Sequence, residues 1–191
     1  GERTVTLRRV GEVQIAMMSY HVPPGSHPDY AAVDILSQVL GDQPSGRLYR
    51  GLVEPGLASS TGSFAYQLRE AGPLITFAQV RAEDDLSAAV TAMNEVLVDV
   101  LRDPITSEEV DRAKTSLLNS FERTFNNPER IALQLSEWAS LGDWRFFFLH
   151  RDRIEAVVPE DVQRVAAQYL KPDNRTVGFF YPTAEPDRAE V

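Results

Sequence analysis

The sequence contains no cysteine, which excludes disulfides and thiolate-bound metal. Histidine is almost as scarce. His21, His27 and His150 are the whole set, and no two of them lie one helical turn apart with a glutamate between. A helix-borne zinc site needs two imidazoles on one face, a third ligand and an open position, so chance placement is the better reading of these three. Bases are outnumbered, 19 against 28 acids, for a net charge of −9. That is the wrong sign for gripping a phosphate backbone, and no nucleic-acid partner is expected. No stretch of about 18 apolar residues is present to span a membrane. The Gly-x-Ser-x-Gly elbow is missing, so Ser59 and Ser60 have no assignable His–Asp partners. The first residues, Gly-Glu-Arg-Thr, carry neither an initiator Met nor signal-peptide features, and the chain reads as a piece cut from something longer.

What is there is an ordinary globular composition, 43% hydrophobic and 25% charged over 191 residues. That length buries one core, and a single domain over 1–191 is expected. Residues 1–10 read as a linker or edge strand. Val13 to Val22 is apolar on both parities, as for an inner strand covered on more than one side, and Pro23-Pro24-Gly25 stops it.

Ser26 is the predicted cap of a helix whose stripe is Ala32, Ile35, Leu36, Val39 and Leu40. A short helix over Leu48–Val53 follows, and Pro55-Gly56 launches a hairpin in which Phe64, Tyr66 and Leu68 share a face. Leu74 to Val80 is the return strand. Asp84 or Asp85 caps the next helix. Thr106 with Glu109 forms a capping box for another, Asn127-Pro128 starts a third, Trp144 to Val157 is helical, and Pro159 opens the last helix. Thr176 to Tyr181 is a strand that Pro182 ends, and 183–191 reads as a tail.

This order predicts an α+β fold, a mainly antiparallel sheet with helices packed on one face. Carboxylate pairs such as Glu108-Glu109 sit at helix starts, where the helix dipole accounts for them. The aromatic group Trp138, Trp144, Phe146, Phe147 and Phe148 reads as core, or as a docking surface where exposed. Nothing in composition or spacing marks a catalytic constellation.

The landmark phrases say more. Tyr20-His21-Val22-Pro23 precedes HPDYAAVDILSQVLGD; SGRLYRGLVEPGLASS, AYQLREAGPLITFAQVRA, ITSEEVDRAKTSLLNSFER and VVPEDVQRVAAQYLKPDNRTVGFFYP follow in order. Together they resemble one half of an insulinase/pitrilysin zinc peptidase, over nearly the whole chain. The resemblance implies two similar α+β halves around a chamber. One holds zinc with His-x-x-Glu-His on a helix and a downstream Glu, the motif Glu serving as general base. The other lacks the motif, closes the chamber and contacts peptide. Here Ala31 to Ser37 occupies the motif's place without His or Glu, so the match is to the inactive, C-terminal half.

That resemblance implies no catalytic and no metal-binding residue in this chain, zinc in the missing catalytic half, and a peptide substrate. The catalytic half is expected in the same chain or as a separate subunit, with a homodimer of the isolated domain as a further possibility. The compartment implied is the periplasm. Many second halves carry an Arg seven residues before a Tyr that bind the substrate backbone; here those positions are Leu52 and Ser59. Arg47 or Arg50 is a candidate replacement, and Arg47, Arg50, Ser59 and Ser60 are the candidate substrate-binding residues. The alternative is a non-proteolytic scaffold or complex subunit with the same fold.

Overall fold

Val13–Val22 is the middle strand, and its alternation decides how everything else packs. The computed structural model describes residues 1–185. Its strands are β1 (Arg3–Val10), β2 (Val13–Val22), β3 (Ser60–Ala65), β4 (Gly72–Arg81) and β5 (Arg175–Thr183). Its helices are α1 (Tyr30–Gly41), α2 (Leu86–Arg102), α3 (Ser107–Phe125), α4 (Pro128–Ser140), α5 (Phe146–Ala156) and α6 (Pro159–Tyr169), with a π-helical turn at Tyr49–Val53. The sheet runs β1-β5-β2-β4-β3. Among the described residues β1 with β5 is its one parallel pair; the other neighbours are antiparallel.

On β2 the even positions Gln14, Ala16, Met18, Tyr20 and Val22 are buried, and on β4 Leu74, Thr76, Ala78 and Val80 match them. Successive strand residues point to opposite faces, so one face takes the helices. Helices α1, α2 and α6 lie against it, and α3, α4 and α5 form an outer layer over α1. Sandwiched in this way, α1 is buried from Tyr30 through Leu36 except for Asp34, well beyond the one stripe expected. Its end comes so close to β3 that a Cβ on Gly41 would sit 2.2 Å from the backbone nitrogen of Ser63.

The other face was expected to be covered too, and within this chain it is not. Reading across the pairings, Leu7, Phe180, Ile15 and Gln79 form one row on it, and Val5, Gly178, Met17, Phe77 and Gly62 the next. Val5, Leu7, Met17 and Phe64 are exposed there. Strand β1 is an edge strand exposed along its whole length, held by its ladder to β5 and by an ion pair from Glu2 to Arg175.

Three local expectations are corrected. Ser26 does not cap α1: the helix starts at Tyr30, after Asp29, and has no side-chain cap. The Asp29 carboxylate is drawn instead to Arg164 (2.9 Å) and to the Tyr169 hydroxyl (3.1 Å) on α6. Pro182 lies inside β5 rather than ending it. The ladder to β2 has stopped by Phe180, so one side of the strand no longer needs an N–H donor. Asn127-Pro128 opens α4 as expected, but of the apolar stripe Ile131, Leu135, Trp138 and Ala139 that the sequence puts on this helix only Trp138 is buried, because α4 packs chiefly against α3 and α5. The other caps hold: Asp85 accepts from the Ser87 N–H, Thr106 and Glu109 make the capping box, and Asn127 accepts from Glu129 and Arg130. Of the predicted tail, 186–191 lies outside the described residues.

Candidate functional site

The candidate substrate-contact residues lie on or beside the π-helical turn and the strand it launches. Leu52, fully buried, anchors the turn, and its carbonyl accepts from the backbone N–H groups of both Leu57 (2.8 Å) and Ala58 (3.0 Å). Gly56 supplies the positive φ of 81° that reverses the chain between them. Leu52 therefore belongs to the core, and a guanidinium from that position would have to be buried.

Arg47 enters the turn already engaged. Its Nε donates to Glu109 Oε1 at 2.8 Å and its Nη2 to Oε2 at 2.9 Å, a bidentate fork. Nη1 and Nη2 also donate to the carbonyls of Asp103 (3.1 Å) and Pro104 (3.3 Å). Glu109 accepts in turn from the Thr106 N–H at 2.9 Å. Burial pushes the Glu109 carboxyl up, but the Arg47 fork and the Thr106 N–H outweigh it and hold it at about 2. One acid thus caps α3 and ties the turn to the α2–α3 junction.

Arg50 is different. Its side chain is 50% exposed, with its guanidinium 3.5 Å from Glu109 Oε1. Arg47, Arg50 and Arg112 share an open groove of about 830 Å³ with Asp99, Asp103 and Glu108. Ser59 and Ser60 do not line this groove. Both reach β4 instead: Ser59 Oγ donates to the Gln79 carbonyl at 3.0 Å and Ser60 Oγ to Gln79 Oε1 at 3.4 Å. Neither hydroxyl has a histidine or carboxylate partner, and a serine nucleophile has no base here.

Strand β3 ends the sheet, yet its outer edge is blunted. Tyr66 N–H bonds to Pro73, so by the alternation of an antiparallel ladder Thr61, Ser63 and Ala65 turn their backbone groups outward. Gln43 Nε2 donates to the Thr61 carbonyl at 2.6 Å and the Tyr30 hydroxyl to the Ala65 carbonyl at 3.1 Å. A peptide adding as a further strand would have to displace both. No local pattern signals this, because the two donors lie 18 and 35 positions from their acceptors in the chain.

Among the described residues, those at the place of the zinc motif do not fit the metal. On α1 the stretch from Ala31 to Ser37 is packed into the core except for Asp34, and Ser37 Oγ donates back to the Asp34 carbonyl. Among the described residues no three His, Cys, Asp or Glu side chains converge. His150 and Asp34 meet at 3.1 Å but lack the third ligand a zinc site requires.

Comparison with known proteins places these features. Residues 1–117 match the sequence profile of the peptidase M16 inactive domain. The chain is 27% identical over 188 residues to the zinc protease PqqE of Helicobacter pylori, covering 95% of this chain and 41% of that protein. It therefore spans about two-fifths of that relative. A crystal structure of the inactive peptidase domain of a Bordetella parapertussis protein taken for a zinc protease superposes with a TM-score of 0.86. The two share 38% identity over 97% of this chain and 99% of that one. The periplasmic protease PqqL of Escherichia coli shares the fold, with a TM-score of 0.75 and 16% identity over 95% of this chain and 21% of that one.

Proposed function

This chain belongs to the inactive-domain family of the M16 peptidases, and from that premise we propose that it is the non-catalytic half of a two-half zinc endopeptidase. It docks on the catalytic half, closes the chamber between them and contacts the peptide. The observation that carries this reading is the bare apolar sheet face, where Val5, Leu7, Met17 and Phe64 remain exposed. A continuous apolar face beyond the size of scattered surface residues marks an interaction surface, and a similar half is the partner of matching size.

Peptide contact falls to the groove beside the turn rather than to strand addition at β3, whose edge carbonyls are taken. Arg50 supplies an available guanidinium, Arg47 holds the turn in place, and Ser59 and Ser60 flank it at the head of β3. Zinc and the water-activating base belong to the partner half, where the metal supplies Lewis-acid activation. The periplasm is the compartment this reading favours, supported by the E. coli relative named for it.

The test uses the full two-half protein and this chain side by side. This chain alone, given zinc, should leave peptides intact; the full protein should cleave them. Met17→Asp in the full protein should lower peptide cleavage at least tenfold by breaking the seam. Arg50→Ala should raise KM with kcat little changed, as expected for a group that binds ground and transition states alike. Zinc-dependent cleavage by this chain alone would sink the reading, as would full activity in Met17→Asp.

A further inference from the structure

The sheet has two edges, and they are unlike. The outer edge of β3 is stopped by the Gln43 amide and the Tyr30 hydroxyl. Strand β1, at the other end, pairs only with β5, and among the described residues nothing bonds to the backbone on its far side. It is eight residues long and exposed at every one of them. It contains no proline and no bulge: its register with β5 runs unbroken from Arg3 opposite Thr176 to Val10 opposite Thr183. Such a strand is a template for pairing with another chain, because the N–H and C=O groups of its outer edge have no protein partner.

The side chains of β1 say what would pair there. From Arg3 through Gly11 the chain has three arginines and no acid, in a protein of net charge −9. Among the described residues none of the three makes an ion pair; Arg8 lies over the Tyr181 ring at 5.0 Å. Alternation puts Arg3, Val5, Leu7 and Arg9 on the bare sheet face and Thr4, Thr6, Arg8 and Val10 on the other. The bare-face row is therefore base, apolar, apolar, base, and it reads the same in both directions. Opposite charges and apolar side chains directly across from one another stabilise a strand pair, while like charges oppose it. A second copy of β1 fits worse: setting its Leu7 across from Val5 sets its Arg9 across from Arg3. The acids elsewhere in the chain act over longer distances, where salt screens them.

We propose that the outer edge of β1 is a docking site for an extended acidic peptide segment. The segment adds as a further strand and sets acid, apolar, apolar, acid against Arg3, Val5, Leu7 and Arg9. Pairing at the edge uses backbone groups rather than the face that meets the catalytic half, and the site does not depend on that reading.

The test is titration of this chain, which has a core of its own, with the end-blocked peptide Glu-Thr-Val-Thr-Val-Thr-Glu and with its Lys-for-Glu counterpart. Backbone amide NMR and amide exchange follow the binding. The acidic peptide should bind saturably, shifting β1 amides and slowing their exchange while leaving those of β3 unchanged. At low salt it should bind about tenfold tighter than the lysine peptide, since two attractive pairs replace two repulsive ones. Added salt should shrink that ratio. In Arg3→Glu/Arg9→Glu, where both side chains are exposed, the preference should reverse. Should that variant fail to fold, the ratio in the unsubstituted chain still decides. Absence of a saturable shift, equal binding of the two peptides, or changes centred on β3 or the groove overturns the proposal. So does self-association of the chain through β1 in place of peptide binding.

Discussion

Glu109 is the residue on which the candidate site is most dependent, because it serves the α3 cap and the Arg47 fork at once. Its carboxyl is held at about 2, against about 4.3 in an unfolded chain. A depressed acid contributes stability above its unfolded pKa and loses it as pH falls toward the folded value. Thermal unfolding of the chain should therefore show a midpoint that drops between about pH 5 and pH 2. Glu109→Gln should flatten that slope and cost about 2–3 kcal/mol at neutral pH, since it leaves Arg47 half-buried without its partner. Gly41 is the second such residue. Any side chain there meets the Ser63 backbone, which cannot yield as a flexible side chain would. Gly41→Ala should destabilise by about 2 kcal/mol or more, read from a denaturant midpoint at unchanged m. The capping box was legible from Thr106 and Glu109 three positions apart. The fork was not, because 62 residues separate Arg47 from its acid and only folding brings them together.

Among the elements, β1 and α4 are the least buried. Every residue of β1 is exposed, and a strand with no covered face is secured chiefly by its ladder. In this chain its amides should exchange with solvent at least tenfold faster than those of β2, which is paired on both sides. Helix α4 buries only Trp138 and so leans on its cap: Asn127→Ala should cost about 1 kcal/mol, measured by chemical unfolding. Helix α4 was legible from Asn127-Pro128, whereas residues 1–10 read as either a linker or an edge strand and only the ladder to β5 makes them a strand. The exposure of the two was not legible, since periodicity reports which side of an element is apolar and not whether anything lies against it. The same holds for β2, whose two apolar parities read as cover on both faces, while the helices of this chain cover one.

At the scale of the whole molecule, the bare sheet face separates stability from function. Met17 is exposed on it, so Met17→Asp should cost this chain no more than about 1 kcal/mol of stability, while on the reading proposed above it lowers cleavage by the full protein. Unfolding of the variant chain, set beside cleavage by the full protein, checks both arms. A larger loss of stability in the chain by itself would mean that the face belongs to the domain's own core.

The sequence by itself determined the element types, most caps, the α+β class and, through its ordered phrases, the kinship with M16 inactive domains. These are local properties: side-chain period, turn residues and cap chemistry are written within a few neighbouring positions. Tertiary structure alone decided that Arg47 is forked onto Glu109 while Arg50, paired more loosely with the same acid, stays half-exposed. It also decided that Gln43 and Tyr30 blunt the edge of β3, and that His150 meets Asp34. Each of these depends on groups distant in the chain meeting at hydrogen-bond or contact distance, and no local pattern encodes that meeting.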